Sequence, residues 1–178
     1  MLICAGDIEQ IKGATPIGVG LINSAINLTR LCIMNPPEFL LFVGTAGSYG
    51  KKEIFDIVES KVAANIEHSF LLNSAYTPLD NVVASSENVS RETIVNSSNY
   101  ITKSEEMAKR YLKLNIDLEN MEFFSVISVA KEFNIPVGGV FVVTNYCNKD
   151  AHKDFLANHK EAIERLENYL ENIYRGKR

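Results

Sequence analysis

The apolar positions of the chain follow two alternating spacings. Short runs, LICA (2–5), FLLFV (39–43), FDIV (55–58), TIV (93–95) and VGGVFVV (137–143), are bounded by Gly, Asn, Pro or charge. Runs of this kind predict strands, some buried on both faces, and NIDLE at 115–119 reads as another. Between them the spacing changes to three and four. Leu21, Ala25, Leu28 and Cys32 predict a helix over 20–33, closed by the Pro36-Pro37 pair. TKSE at 102–105 has the form of a capping box, with Thr102 accepting from the Glu105 amide, and predicts a helix through Leu114. SVISVAKEF predicts a further helix, and a stripe from Phe155 through Leu156, Ile163, Leu166, Leu170 and Ile173 predicts a long last one, with Lys160, Glu161, Glu164 and Arg165 on its solvated face. Strands alternating with helices imply an α/β fold whose largely parallel or mixed sheet is covered on both sides. Residues 68–92 are polar and weakly periodic, and read as a long excursion within one domain spanning 1–178.

The pattern breaks at NMEFFSV, residues 120–126. On a helix beginning there, Glu122 shares a face with Val126, Val129, Ala130 and Phe133. With Asn120 as N-cap, Glu122 falls in the first turn, where the helix dipole favours a negative charge by about 0.3–1 kcal/mol. That accounts for the charge but not for its apolar side. An unpaired buried carboxylate costs several kcal/mol, so Glu122 needs a partner, and the vicinal hydroxyls of a bound sugar are one.

In open α/β sheets ligands collect beyond the carboxyl ends of the strands, which directs attention to GTAGSYG (44–50), NSSNY (96–100), NMEFF (120–124) and TNYCN (144–148). GTAGSYG is a small-residue turn whose backbone can approach a ligand, or simply a tight strand-to-helix turn; it lacks the GK[ST] ending of a Walker loop and the G-x-G-x-x-G spacing. Gly18-Val19-Gly20 before a helix is either an anion-binding terminus or a close chain crossing. Asn145 ends an apolar strand, where an amide offers a donor and an acceptor to a heterocycle or an ordinary turn. Tyr100 offers a stacking face for a base, or a core tyrosine.

Composition narrows the choice. A chain of 178 residues with 46% hydrophobic and 22% charged residues suits one domain with a substantial core. A net charge of -4 and a pI of about 5.4 leave no broad basic field for a nucleic acid or an anionic membrane. No apolar run approaches the length of a membrane span, and MLICAGDIEQ lacks the charged start of a secretory signal. Cys4, Cys32 and Cys147 form no Cys-x-x-Cys pair, which points to a reducing cytoplasm rather than a disulfide or zinc site. His68, His152 and His159 are scattered without metal or triad spacing, so no metal is expected.

Taken in order, GVG before a helix, FVGTAG, an aromatic after NSSN, NMEFFSVISVAKEFNIPV and FVVTN resemble the superfamily of nucleoside phosphorylases and nucleosidases over roughly residues 16–156. The resemblance implies a three-layer α/β/α sandwich with a central mixed sheet, assembled as a homo-oligomer, acting on a purine nucleoside or base without a cofactor. Carried onto this chain, Glu122 would accept from the ribose 2′ and 3′ hydroxyls and Met121 would pack on the sugar. Thr45, Ala46 and Gly47 would line base and ribose, Tyr100 would stack on the purine, and Asn145 would meet its N7/O6 edge. Asn145 cannot protonate N7 but can donate to the charge that accumulates there, and by resemblance an Asn suits 6-oxopurines.

Two departures bear on the nucleophile. The family carries more residues before its G-x-G segment than this chain does, so a shortened N-terminus is expected. Gly6 in CAGD resembles a phosphate loop, but its arginine is missing, and Phe42 stands where phosphorylases carry another. Arg91 and Lys12 are the substitutes for binding phosphate as co-substrate; for hydrolysis, Glu9 is the candidate that activates water. The first expectation is a purine nucleoside phosphorylase. The alternatives are a purine nucleosidase, or a nucleoside-binding protein that has lost turnover.

Overall fold

The computed structural model describes residues 1–89 and 93–175. The long strands β3 (Leu40–Ser48) and β9 (Val137–Tyr146) run parallel at the centre of the sheet. β3 also pairs in parallel with β1 (Leu2–Cys4), which leads on to β2 (Thr15–Pro16), and antiparallel with β8 (Leu118–Asn120). From β8 the sheet continues through β7 (Ile94–Ser97), β5 (Val62–Ala64) and β6 (Val82–Ala84), while β4 (Ile57–Ser60) lies antiparallel on β9. The sheet is therefore mixed, as expected.

Alternation along the strands sorts its two faces. Phe42, Phe141 and Val143 point to one side with α1 (Leu21–Met34) and α4 (Phe123–Glu132), where Leu28, Cys32, Phe123, Val126 and Ile127 complete the main core. Val43, Val140 and Val142 point to the other, against Ala162, Leu166 and Leu170 of α5 (Ala151–Arg175). Ala64 joins that second side under α3 (Glu105–Lys113), where the rings of Tyr49 and Tyr111 stack 4.3 Å apart. Helices on both faces give the three-layer α/β/α arrangement.

Several local expectations are corrected. α3 is capped by Ser104, whose side chain accepts from the Met107 amide, not by Thr102, because the Thr102 amide is committed to Glu119 and its hydroxyl lies 3.1 Å from His68. The strand expected at 55–58 begins at Ile57, since Phe55 sits at φ 73, outside the extended region. The 68–92 excursion contains α2 (His68–Leu71) and β6. The last helix starts at Ala151, and Leu156 is exposed rather than part of its buried stripe.

Candidate active site

The carboxyl ends of β3, β8 and β9 converge on a cleft of about 270 Å³, lined also by residues 5–9 and the start of α5. Thr45, Ala46 and Gly47 line it from β3, and Met121 and Glu122 from the β8–α4 junction. Gly6, Glu9, Tyr100 and Asn145 face the same cavity. One candidate, Arg91, lies outside the described residues. The other proposed cation, Lys12, points away, its amide on Glu167 at 2.9 Å and its Nζ 3.8 Å from Glu171, both on α5. Phe42, at the position where an arginine was sought, is sealed in the core with ring centroids 6.0 Å from Phe123 and 5.8 Å from Phe141.

Glu122 is 4% exposed and has protein partners. Its Oε1 accepts from the Gly20 amide at 2.9 Å; its Oε2 accepts from Asn120 Nδ2 and the Met121 amide, each at 3.2 Å. The GVG segment thus serves as a close crossing in which the N-terminus of α1 is satisfied by side chains, with Asn99 Oδ1 accepting from the Leu21 amide at 2.9 Å. Gly20 is required there, since at φ +83 a Cβ would lie 2.9 Å from Asn99 Oδ1. Asn120 is itself fixed by Ser97, which donates to its Oδ1 at 2.8 Å, and that oxygen also accepts from the amides of Glu122 and Phe123. The N-cap of α4 is therefore Glu122 and not Asn120 as expected, so Glu122 precedes the first turn, while the Asn120 side chain accepts from the helix start from two residues before the cap. Burial pushes the Glu122 carboxyl up to about 7; the Gly20 amide opposes this and the Glu9 charge reinforces it.

Glu9 enters from a turn in which Gly6 and Asp7 adopt φ 89 and φ 57, with the Glu9 amide donating to the Gly6 carbonyl at 3.0 Å. Its carboxylate receives the Thr45 hydroxyl and, at 3.5 Å, the Thr45 amide. Burial raises its pKa, while Thr45 and the nearby His159 act to lower it.

Asn145 owes its aim to an irregularity. β3 and β9 stay in register to Ala46↔Val143 and resume at Gly47↔Asn145, so Thr144 is the extra residue of a bulge. The Thr144 hydroxyl donates to Asn145 Oδ1 at 2.9 Å, and Asn145 Nδ2 donates to the Tyr146 carbonyl at 3.2 Å. The second amide hydrogen is left for another acceptor.

Sequence reasoning missed Glu119. It lines the same cleft at 6% exposure, with Oε2 accepting from the Tyr49 hydroxyl and Oε1 from the Thr102 amide, each at 2.9 Å. Through Thr102 it fastens the loop that carries Tyr100. Burial, reinforced by the Glu119 charge, pushes the Tyr49 hydroxyl and the Cys147 thiol well up, which keeps both protonated around it. Met121 is half-buried and Tyr100 is 80% exposed, so neither is fixed by the core and both are open to a ligand. Among the described residues no helix is long and apolar enough to cross a membrane.

Solved structures of similar shape agree with this architecture. Methylthioadenosine nucleosidase of Helicobacter pylori, seen with 5′-methylthioadenosine, superimposes with a TM-score of 0.77 at 16% identity over 92% of this chain and 79% of its own. Futalosine hydrolase of the same organism gives 0.77 at 17% identity over 92% and 80%. The 5′-methylthioadenosine/S-adenosylhomocysteine nucleosidase of S. pneumoniae, with a transition-state inhibitor, gives 0.76 at 14% identity over 95% of both chains. No curated protein matches the sequence. A family model described as the phosphorylase superfamily matches residues 10–175, and the chain belongs to that superfamily of nucleoside phosphorylases and nucleosidases.

Proposed function

We propose that the chain is a purine nucleosidase, which cleaves the N-glycosidic bond of a purine nucleoside with water. The observation that carries this is the charge of the cleft. Asp7, Glu9, Glu119 and Glu122 line it, and among the described residues no Lys or Arg does. A phosphate dianion would meet like charge without the Arg fork or cations that recognise it. A water nucleophile needs a carboxylate base instead, and Glu9 is one whose basicity burial raises. The structural neighbours named for nucleosidase or hydrolase activity favour the same choice over phosphorolysis.

In this mechanism Glu122 accepts one ribose hydroxyl on the lone pair that Gly20 leaves free on Oε1 and the other on Oε2 in place of one of its two longer 3.2 Å protein donors, and Met121 packs on the sugar. The paired carboxylates favour the positive charge that develops on the ribose as the C1′–N9 bond lengthens. The bonding electrons pass to the purine, whose N7/O6 edge accepts from the remaining Asn145 N–H while Tyr100 stacks on its face. Water forms the new bond to C1′ and gives its proton to Glu9. A donor at that edge suits the adjacent N7 and O6 acceptors of a 6-oxopurine better than the N6 amine of adenine.

The test is to incubate the protein with inosine, guanosine, adenosine and 5′-methylthioadenosine, with and without phosphate, and to identify the sugar released. Free sugar at a rate independent of phosphate is expected, with inosine and guanosine ahead of adenosine. Ribose 1-phosphate would overturn hydrolysis, and purine binding without any sugar product would overturn turnover itself.

A further inference from the structure

Two consecutive residues of α5 stand outside this mechanism, yet each holds the backbone next to one of its principal groups. Asn158 Nδ2 donates to the Thr144 carbonyl at 2.8 Å. His159 Nε2 lies 2.9 Å from the Ile8 carbonyl, an arrangement that requires the hydrogen on Nε2, and its buried Nδ1 has no hydrogen-bond partner. Thr144 precedes Asn145, and Ile8 precedes Glu9. Neighbouring residues on a helix project about 100° apart, so a single turn of α5 reaches the backbone beside both Glu9 and Asn145.

Both segments need such a tie. Thr144 is buried but is the residue skipped by the β3–β9 register, and its hydroxyl reaches the Ala46 carbonyl of β3 only at 3.4 Å. The 6–9 turn has left-handed residues at Gly6 and Asp7, and although Gly6 is buried and Thr45 holds the Glu9 carboxylate, the Ile8 side chain between them is 58% exposed, so packing does not fix the turn at Ile8. α5 supplies the rigid reference, because Ala162, Leu166 and Leu170 bury its next turns against Val43, Val140 and Val142. Glu167 accepts from the Lys12 amide further along the same helix and secures the exit of the turn.

We propose that Asn158 and His159 form one positioning pair, which fixes the separation between Glu9 and Asn145 from a single turn of α5. The pair thereby keeps the group that activates water in register with the group that receives the purine. This inference rests on the nucleosidase reading for its catalytic consequence, but not for its structural one. Misplacing reacting groups by about 1 Å costs on the order of a hundredfold in rate.

The experiment compares Asn158→Ala, His159→Ala, the double variant and His159→Gln by inosine hydrolysis and by amide hydrogen exchange. Each alanine variant should lose about ten- to a hundredfold in kcat with KM changed by less than about threefold, and the double variant should be little worse than the weaker single. Gln can present its amide where Nε2 stood, so His159→Gln should recover most of the lost kcat. Exchange should quicken at residues 6–9 in His159→Ala and at 144–146 in Asn158→Ala, with the melting temperature little changed. Losses confined to KM, fully additive losses, or a glutamine variant no better than alanine would overturn the proposal. Unchanged exchange would also overturn it, whether or not the protein turns over. Quickened exchange in a protein without hydrolysis would leave the pair intact and sink the nucleosidase reading alone.

Discussion

Glu122 makes the proposed mechanism measurable through pH. Its carboxyl, raised by burial from an ordinary 4.5 to about 7, must be ionised to accept from both ribose hydroxyls. With Glu9 in place the competent fraction is roughly a tenth at about pH 6 and roughly nine tenths at about pH 8, a rise of about tenfold in nucleoside affinity, and the same rise moves to lower pH wherever the midpoint falls. Glu9→Gln provides a background in which inosine survives long enough for calorimetric titration. The Glu9 charge is a lesser cause of the raised value than burial, so the midpoint falls in that background but stays above 4.5. Glu122→Gln, added to it, should abolish the pH dependence. It should also weaken binding at the higher pH by about 2–4 kcal/mol, since two charge-assisted hydrogen bonds at about 1.5–3 kcal/mol each are replaced by weaker neutral ones. Stability runs the opposite way. With the folded value raised, the native state keeps its proton after the unfolded chain has lost it, so this contribution is present below about pH 4.5 and lost as pH rises through about 7, in all roughly 3 kcal/mol. Urea unfolding should show a steeper decline in the wild type than in Glu122→Gln, where the Glu9 carboxyl, also raised by burial, still contributes in the same sense. Affinity in the Glu9→Gln background that stays flat all the way from about pH 4 to about pH 8 would refute the assignment of the sugar to Glu122.

The other expectations are simpler to check. Asn145→Asp should raise the adenosine-to-inosine ratio of kcat/KM, because a carboxyl can share a proton with N7 beside an amine; an unchanged ratio removes Asn145 from the base edge. Tyr100→Ala should weaken purine binding by about 1–3 kcal/mol while leaving the melting temperature in place, since the ring is 80% exposed. Gly20→Ala should lower stability by about 1–3 kcal/mol, read by urea unfolding, through its φ of +83 and the 2.9 Å approach to Asn99 Oδ1. Val19, Tyr100 and Ile101 line the cleft yet stand 40–80% exposed, and a second copy of the chain covering that mouth should give a dimeric or larger mass by light scattering.

The sheet was legible because its central strands are continuous apolar runs. FLLFV and VGGVFVV mark β3 and β9, and their carboxyl ends bring Thr45, Ala46, Gly47, Thr144 and Asn145 to the cleft. The short strand Val62–Ala64 was not legible, since three residues carry no period and its burial comes from pairing with β6 and β7. The capping box at 102–105 was a true local signal overridden by tertiary contacts. Thr102 has the right spacing, but its amide goes to Glu119, and Ser104 two residues later meets the helix instead.

The carboxylates show where a one-dimensional pattern runs out. Glu122 could be singled out because a helical period placed it among valines, and the oddity was real, although protein amides as well as any sugar answer it. Glu119 looked ordinary because alternation in NIDLE assigns Asp117 and Glu119 to the solvent side of a strand. Both are buried, at 1% and 6% exposure, because that side is covered by α3 and the Tyr49–Tyr111 stack. Asp117 is met by Lys51 at 3.2 Å, and Glu119 by a tyrosine hydroxyl and a backbone amide. A strand covered on both faces hides its polar residues from any test based on period, and only the partners reveal them. Those partners differ in kind: Asp117 faces a cation, whereas Glu119 sits in a cleft that has none among the described residues. The accumulation of uncompensated carboxylates around one small cavity, more than any single motif, is what turns the choice from phosphate towards water.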